Sequence, residues 1–256
     1  GSILFLSIIL FSIQIYCDFS GYSDIAIGIA RILGFSLMKN FNFPYFSRDI
    51  AEFWRRWHIS LSSWFKDYIY IPLGGSRGST SIKIRNVFII FTVSGFWHGA
   101  NWTFVAWGLI NAIFFIPLFL TKHNRVNTDT VSAGKLLPSF NDFLSILKTY
   151  LLTLIAWIFF RSDTVLDAFK YIIIIFSKSF FTSISIRFIH SLIDLRIIII
   201  LIVFIIVEWI NRECNYGIEK INYLKNRYFK WLIYFVLLFI ILLYNGTQKS
   251  FIYFQF

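Results

Sequence analysis

Apolar residues fall along this chain in long blocks separated by shorter polar stretches. The windows Ile3–Tyr16, Val87–Trp97, Trp102–Leu120, Phe143–Phe160, Ile197–Ile210 and Trp231–Tyr244 are each long enough to span a bilayer, or nearly so. They predict about six transmembrane helices. The first window runs into a small-residue stretch from Gly21 to Gly34, whose Ala26, Gly28 and Ala30 suit close helix approach in lipid. The run Ala168–Phe176 is too short to cross and predicts an interfacial segment.

Between the first two windows the pattern changes. Taken as one helix at about 100° per residue, Glu52–Tyr68 gathers Phe53, Trp54, Trp57, Leu61, Trp64, Phe65 and Tyr68 on one face. Glu52, Arg55, Arg56, Ser63, Lys66 and Asp67 take the other, with His58 at the edge of the aromatic arc. This predicts an interfacial or re-entrant amphipathic helix, after which Pro72 and Gly74-Gly75 turn the chain.

Composition agrees with the pattern. The chain is 57% hydrophobic and 21% aromatic but 14% charged, against about 25% charged for a soluble domain. An all-α polytopic membrane protein follows, as one membrane domain over residues 1–256. The net charge of +11 would suggest nucleic acid on a soluble protein. Here the basic residues lie between apolar runs, where they read as positive-inside loops against anionic membrane lipid, so no nucleic-acid partner is expected. Segments 39–85, 121–142 and 211–230 are then cytoplasmic, and the 98–101 turn and the C-terminal tail are outside. The 161–196 connection, with Arg161, Lys170, Lys178, Arg187 and Arg196, departs from that scheme. Cys17 and Cys214 are too few for a disulfide framework, and His58, His98, His123 and His190 show no metal-ligand spacing, so no metal site is expected. The N-terminus lacks the basic region and cleavage site of a signal peptide. No internal repeat of the transporter kind, serine-hydrolase elbow or phosphate loop is evident.

Two histidines carry the candidate chemistry. An ionisable group at a helix centre in the membrane costs roughly 2.5–3.5 kcal/mol on insertion scales and usually marks function. His98, in Trp97-His98-Gly99, ends an apolar window between Gly95 and Gly99, which permit close approach by a helix or ligand. His58 lies in Arg55-Arg56-Trp57-His58-Ile59-Ser60. A neutral imidazole suits proton abstraction near neutral pH, and one positioned base supplies about 10²–10⁴ in rate. Spacing alone leaves plainer alternatives open. His58 also reads as a snorkelling boundary residue, His98 as a ring satisfied by a helix-end carbonyl, and Asp18, Ser20 and Asp24 as caps of a following helix.

Five motifs then occur in order: Tyr16-Cys17-Asp18-Phe19-Ser20-Gly21-Tyr22-Ser23-Asp24, Asn40-Phe41-Asn42-Phe43-Pro44-Tyr45, Glu52-Phe53-Trp54-Arg55-Arg56-Trp57-His58, Tyr70-Ile71-Pro72-Leu73-Gly74-Gly75 and Ser94-Gly95-Phe96-Trp97-His98-Gly99. Together with the closing Phe251-Ile252-Tyr253-Phe254-Gln255-Phe256 they resemble the membrane-bound O-acyltransferase (MBOAT) family, in particular its bacterial alginate O-acetylation (AlgI-like) branch. The resemblance implies an MBOAT-type helical core with a tunnel in which a cytoplasmic acyl donor meets an extracytoplasmic acceptor. It implies His98 as catalytic base and His58 as the second essential polar residue, positioning or polarising the donor carbonyl. Asp18, Ser20, Trp54, Trp57, Trp97 and Asn111 become candidates for the tunnel wall.

The implied reaction moves acetyl groups from a thioester, with acetyl-CoA as co-substrate and no bound cofactor, toward hydroxyls of a cell-surface polysaccharide. The implied setting is the bacterial inner membrane, with an extracytoplasmic SGNH-like acetyltransferase partner. A D-alanyl transferase of the same family, a transporter or flippase, and a non-catalytic export scaffold are the rival readings. Family members carry further spans before the Asp-Phe-Ser-Gly-Tyr motif, so the resemblance covers the C-terminal part of such a protein. After Trp107-Gly108 the family often has His-Gly, where this chain has Asn111-Ala112.

Overall fold

The computed structural model describes residues 1–181 and 195–244, which form helices and turns and include no strand. His190 and the closing 251–256 motif lie outside the described residues. The chain divides into two compact units, residues 1–194 and 195–256.

The first unit opens with α1 (Ser2–Ile32). The first apolar window and the small-residue stretch are therefore one continuous helix of 31 residues, about 46 Å long at 1.5 Å per residue. No proline interrupts it, and its glycines do not break it. Asp18 and Ser20 lie in its middle, so they cap no following helix. Among the described residues the expected close approach is not seen: a Cβ on Gly21 or Gly28 would meet nothing within 4 Å, and Ile25, Ile29 and Ile32 are exposed beside them.

After an extended segment and a 3-10 turn at Pro44–Phe46, the amphipathic region folds as two short helices rather than one. Helix α2 (Ile50–Arg56) is capped by Asp49, which accepts from the Glu52 N–H at 2.7 Å. The chain breaks at Trp57, and His58 takes a left-handed backbone conformation (φ 44°) before α3 (Ile59–Phe65). A π-helical turn, Lys66–Tyr70, follows. The break overturns the single amphipathic face. Phe53, Trp57 and Phe65 are buried, whereas Trp64 and Tyr68 are exposed and stack on each other. Glu52 and Arg56, expected on the polar outer face, are buried too.

Helices α4 (Thr80–His98) and α5 (Trp102–Leu120) form a tight hairpin. Its closeness rests on two glycines facing opposite ways across the contact. A Cβ on Gly95 would sit 2.2 Å from the Phe104 carbonyl oxygen, and one on Gly108 would sit 2.2 Å from that of Phe91. Neither carbonyl can move without moving its helix. Gly95→Ala or Gly108→Ala should therefore destabilise the protein by about 1–3 kcal/mol through overpacking. Gly21→Ala and Gly28→Ala should be neutral or stabilising, because alanine favours the helix. Thermal unfolding in detergent checks this, and equal responses at all four sites would refute the contact.

Helix α6 (Phe140–Arg161), capped by Ser139 on the Asp142 N–H, packs on α5 and α1. The short helix α7 (Val165–Ile175) packs on α1 and α6, burying Ala168 and Ile175. With 11 residues it does not cross, as its length in sequence implied. The second unit holds α8 (Leu195–Asn211) and α9 (Arg227–Leu243). The six apolar windows thus lie on α1, α4, α5, α6, α8 and α9. Of these, α1, α5 and α6 are long and apolar enough to cross a membrane unaided. Helix α4 carries Lys83, Arg85 and the buried Asn86 near its start, and α8 and α9 have 17 residues each.

Candidate active site

The α2–α3 break brings the two candidate histidines to one place. The His58 ring sits edge-on to Phe19 of α1 at 4.6 Å and to Trp97 of α4 at 6.3 Å between centroids. Trp97 in turn meets His98 at 5.1 Å. One half-exposed indole therefore touches both imidazoles. His98 is further enclosed by Trp107 and Phe160, each at 5.1 Å, and by Phe104 at 6.4 Å. These rings come from α4, α5 and α6. The Gly95–Gly108 contact sets how closely the first two of those helices approach.

An aromatic core extends behind this box. Trp107 stacks on Trp157, Trp157 touches Trp57, and Trp57 stacks on Phe53. Phe41, Tyr16 and Tyr45 complete the packing around Trp57. Trp57 is thus fully occupied by protein neighbours. Trp54 packs between Phe91 and Trp107, and its buried Nε1–H has no hydrogen-bond partner among the described residues. Asn111 is buried, with Nδ2 donating to the Trp107 carbonyl one turn back at 2.8 Å. Asp18 and Ser20 are half-buried on either side of Phe19, the residue that touches His58. Among the sequence candidates, the structure gathers His58, His98 and Trp97, with the Asp18–Ser20 turn adjacent. Trp54 lies one ring further away, and Trp57 and Asn111 are packing residues of the surrounding core. Trp107, Phe104 and Phe160, which wall the His98 ring, carried no sequence signal beyond being aromatic in an aromatic-rich chain.

A charged cluster that sequence spacing had placed outward is buried on α2, next to the break. The Glu52 carboxylate is 1% exposed. It accepts from Arg48 Nε at 3.1 Å, the Arg48 N–H at 2.7 Å and Arg56 Nη2 at 2.8 Å. The two guanidinium groups also donate to the Asp129 carbonyl, each at 2.9 Å. Arg55 donates to the Asn124 and Asn127 carbonyls, and Asn127 Nδ2 donates to Asp49 at 2.7 Å. Arg48, Arg55 and Arg56 thereby clamp the 124–129 loop by its backbone. Arg48 hydrogen-bonds the exposed Asp129 carboxylate and holds it below the usual carboxylate range. The clamp puts parts of the 39–85 and 121–142 segments together, the same-side placement their positive charge predicted.

A helical chain with two imidazoles in an aromatic interior fits a defined class. The model of the membrane-bound O-acyltransferase family, MBOAT, matches residues 2–147. The chain belongs to that family. It is 43% identical over 165 residues to "Probable alginate O-acetylase AlgI" of Pseudomonas aeruginosa, covering 64% of this chain and 30% of the relative. To the "Peptidoglycan O-acetyltransferase" of Helicobacter pylori it is 43% identical over 160 residues, covering 62% and 29%. To the "Teichoic acid D-alanyltransferase" of Streptococcus thermophilus it is 35% identical over 137 residues, covering 48% and 32%. The chain spans about a third of the length of the curated relatives it matches. The MBOAT match contains both histidines and all the candidate wall residues.

Proposed function

We propose that this chain supplies the catalytic part of a membrane O-acetyltransferase. In this reading the enzyme moves an acetyl group from a cytoplasmic thioester, acetyl-CoA, toward hydroxyls of an extracytoplasmic polysaccharide in the bacterial inner membrane. The observation that carries it is His98, a titratable ring enclosed by Trp97, Trp107, Phe104 and Phe160, with Trp97 also touching His58.

His98 would take the proton as the acceptor oxygen bonds the thioester carbonyl carbon. The carbon–sulfur bond then breaks, and His98 returns the proton to the departing thiolate. The aromatic box excludes water, which protects the thioester from hydrolysis. His58 is the second polar group at the reacting atoms, and an extracytoplasmic SGNH-like acetyltransferase would pass the acetyl group on to the polymer. D-alanyl transfer is the second reading, favoured by the teichoic acid relative but at lower identity than the O-acetyl relatives.

Membrane vesicles containing the full protein, given acetyl-labelled CoA on the cytoplasmic face, should deliver label to hydroxyls on the other face. Label that stays with CoA while a D-alanyl thioester is consumed would replace this reading with the second.

A further inference from the structure

Three polar residues outside the proposed reaction form a chain that reaches its second histidine through Ser60. Asn40 lies in the segment between α1 and α2. Its carbonyl accepts the Ile59 N–H at 3.0 Å, and its Oδ1 accepts the Ser60 N–H at 3.2 Å. His58, at the N-cap of α3, makes no side-chain capping bond, so Asn40 supplies from a distance the acceptors that this helix start lacks.

The Ser60 N–H is an obligate donor. It fixes the Asn40 amide with Oδ1 toward Ser60 and Nδ2 toward Ser23 Oγ, at 3.3 Å. Oδ1 carries no proton, so the Ser60 hydroxyl, 2.5 Å away, directs its single proton there. Only lone pairs of Ser60 Oγ then remain for His58 Nδ1, at 3.5 Å. That contact requires the proton on Nδ1, and a neutral imidazole has only one N–H. Ser60 is the one side-chain hydrogen-bond partner of the His58 ring among the described residues.

Taking His58 as the second polar residue of the proposed site, we propose that Ser23, Asn40 and Ser60 form a positioning chain. The chain holds the His58 ring as the Nδ1–H tautomer and presents Nε2 as a hydrogen-bond acceptor. An Nε2 lone pair cannot polarise a carbonyl by donating to it. It can accept from a neighbouring hydroxyl of the acceptor, which leaves the reacting O–H to His98, so the role of His58 shifts from the donor carbonyl to orienting the acceptor.

The test is nitrogen NMR of the full chain in nanodiscs with ¹⁵N-labelled histidine, the His58 signals being assigned by their loss in His58→Gln. Wild type should show a protonated Nδ1 and an unprotonated Nε2. Ser60→Ala should redistribute the proton toward Nε2, and Ser60→Thr, which keeps the hydroxyl, should restore the wild-type pattern. Acetyl transfer should fall about tenfold in Ser60→Ala, the value of one hydrogen bond selecting a tautomer, and recover in Ser60→Thr. A wild-type His58 protonated at Nε2, or a Ser60→Ala spectrum identical to wild type, overturns the positioning chain. The spectrum needs no turnover, so the expected tautomer pattern in a protein that transfers no acetyl group would uphold the chain while defeating the functional reading.

Discussion

Replacing His98 by alanine should abolish acetyl transfer while leaving the protein folded in the membrane. The expected loss is about 10²–10⁴-fold, the ordinary contribution of one positioned base. The fold should survive because His98 is the last residue of α4, where Gly99 takes over the C-cap, and because the α4–α5 contact depends on Gly95 and Gly108. What the substitution removes is a ring packed against Trp107 and Phe160. His98→Gln keeps more of that volume and a hydrogen-bonding end but no base of comparable strength, so it should be equally inactive and more stable. Acetyl transfer, read together with detergent-extracted yield and melting temperature, checks both variants. Transfer at the wild-type rate in either would remove His98 from the mechanism.

Loss of the Glu52 carboxylate should have the largest effect on stability. Glu52→Ala leaves Arg48 and Arg56 facing each other without their shared anion, with side-chain exposures of 10% and 9%. Breaking a buried ion pair on one side costs about 3–5 kcal/mol. The damage should also spread, since the same two guanidinium groups hold the Asp129 carbonyl. The 124–129 loop should then become a site of early proteolysis, and the melting temperature should fall. A Glu52→Leu and Arg56→Met double variant should lose less than the sum of its two single variants, because it removes a charge of each sign together. If Glu52→Ala melts like wild type with an intact loop, the cluster is a surface feature and the burial is wrong.

Sequence alone determined the class of this protein and most of its elements. Apolar windows locate helices because a bilayer demands satisfied backbone hydrogen bonds over a fixed thickness, and α4, α5, α6, α8 and α9 lie on those windows. The motifs in order named the family before any geometry was known. His98 and Gly95 were legible for local reasons: a costly ring at a helix end, and a residue whose only asset is the lack of a side chain.

Tertiary structure decided what local periodicity could not. Glu52–Tyr68 has the repeat of one helix, but it breaks at His58. There Asn40, distant in sequence, supplies the acceptors for a new helix start. Glu52 and Arg56 read as an exposed face, since burial of a charge is set by a loop some 70 residues away that covers it. Gly21 and Gly28 look like a contact surface, yet no element described here packs on them. The pairing of His58 with His98 around Trp97 belongs to the same group. It arises where α1, α4, α5, α6 and a chain break converge, and no spacing along one segment encodes it.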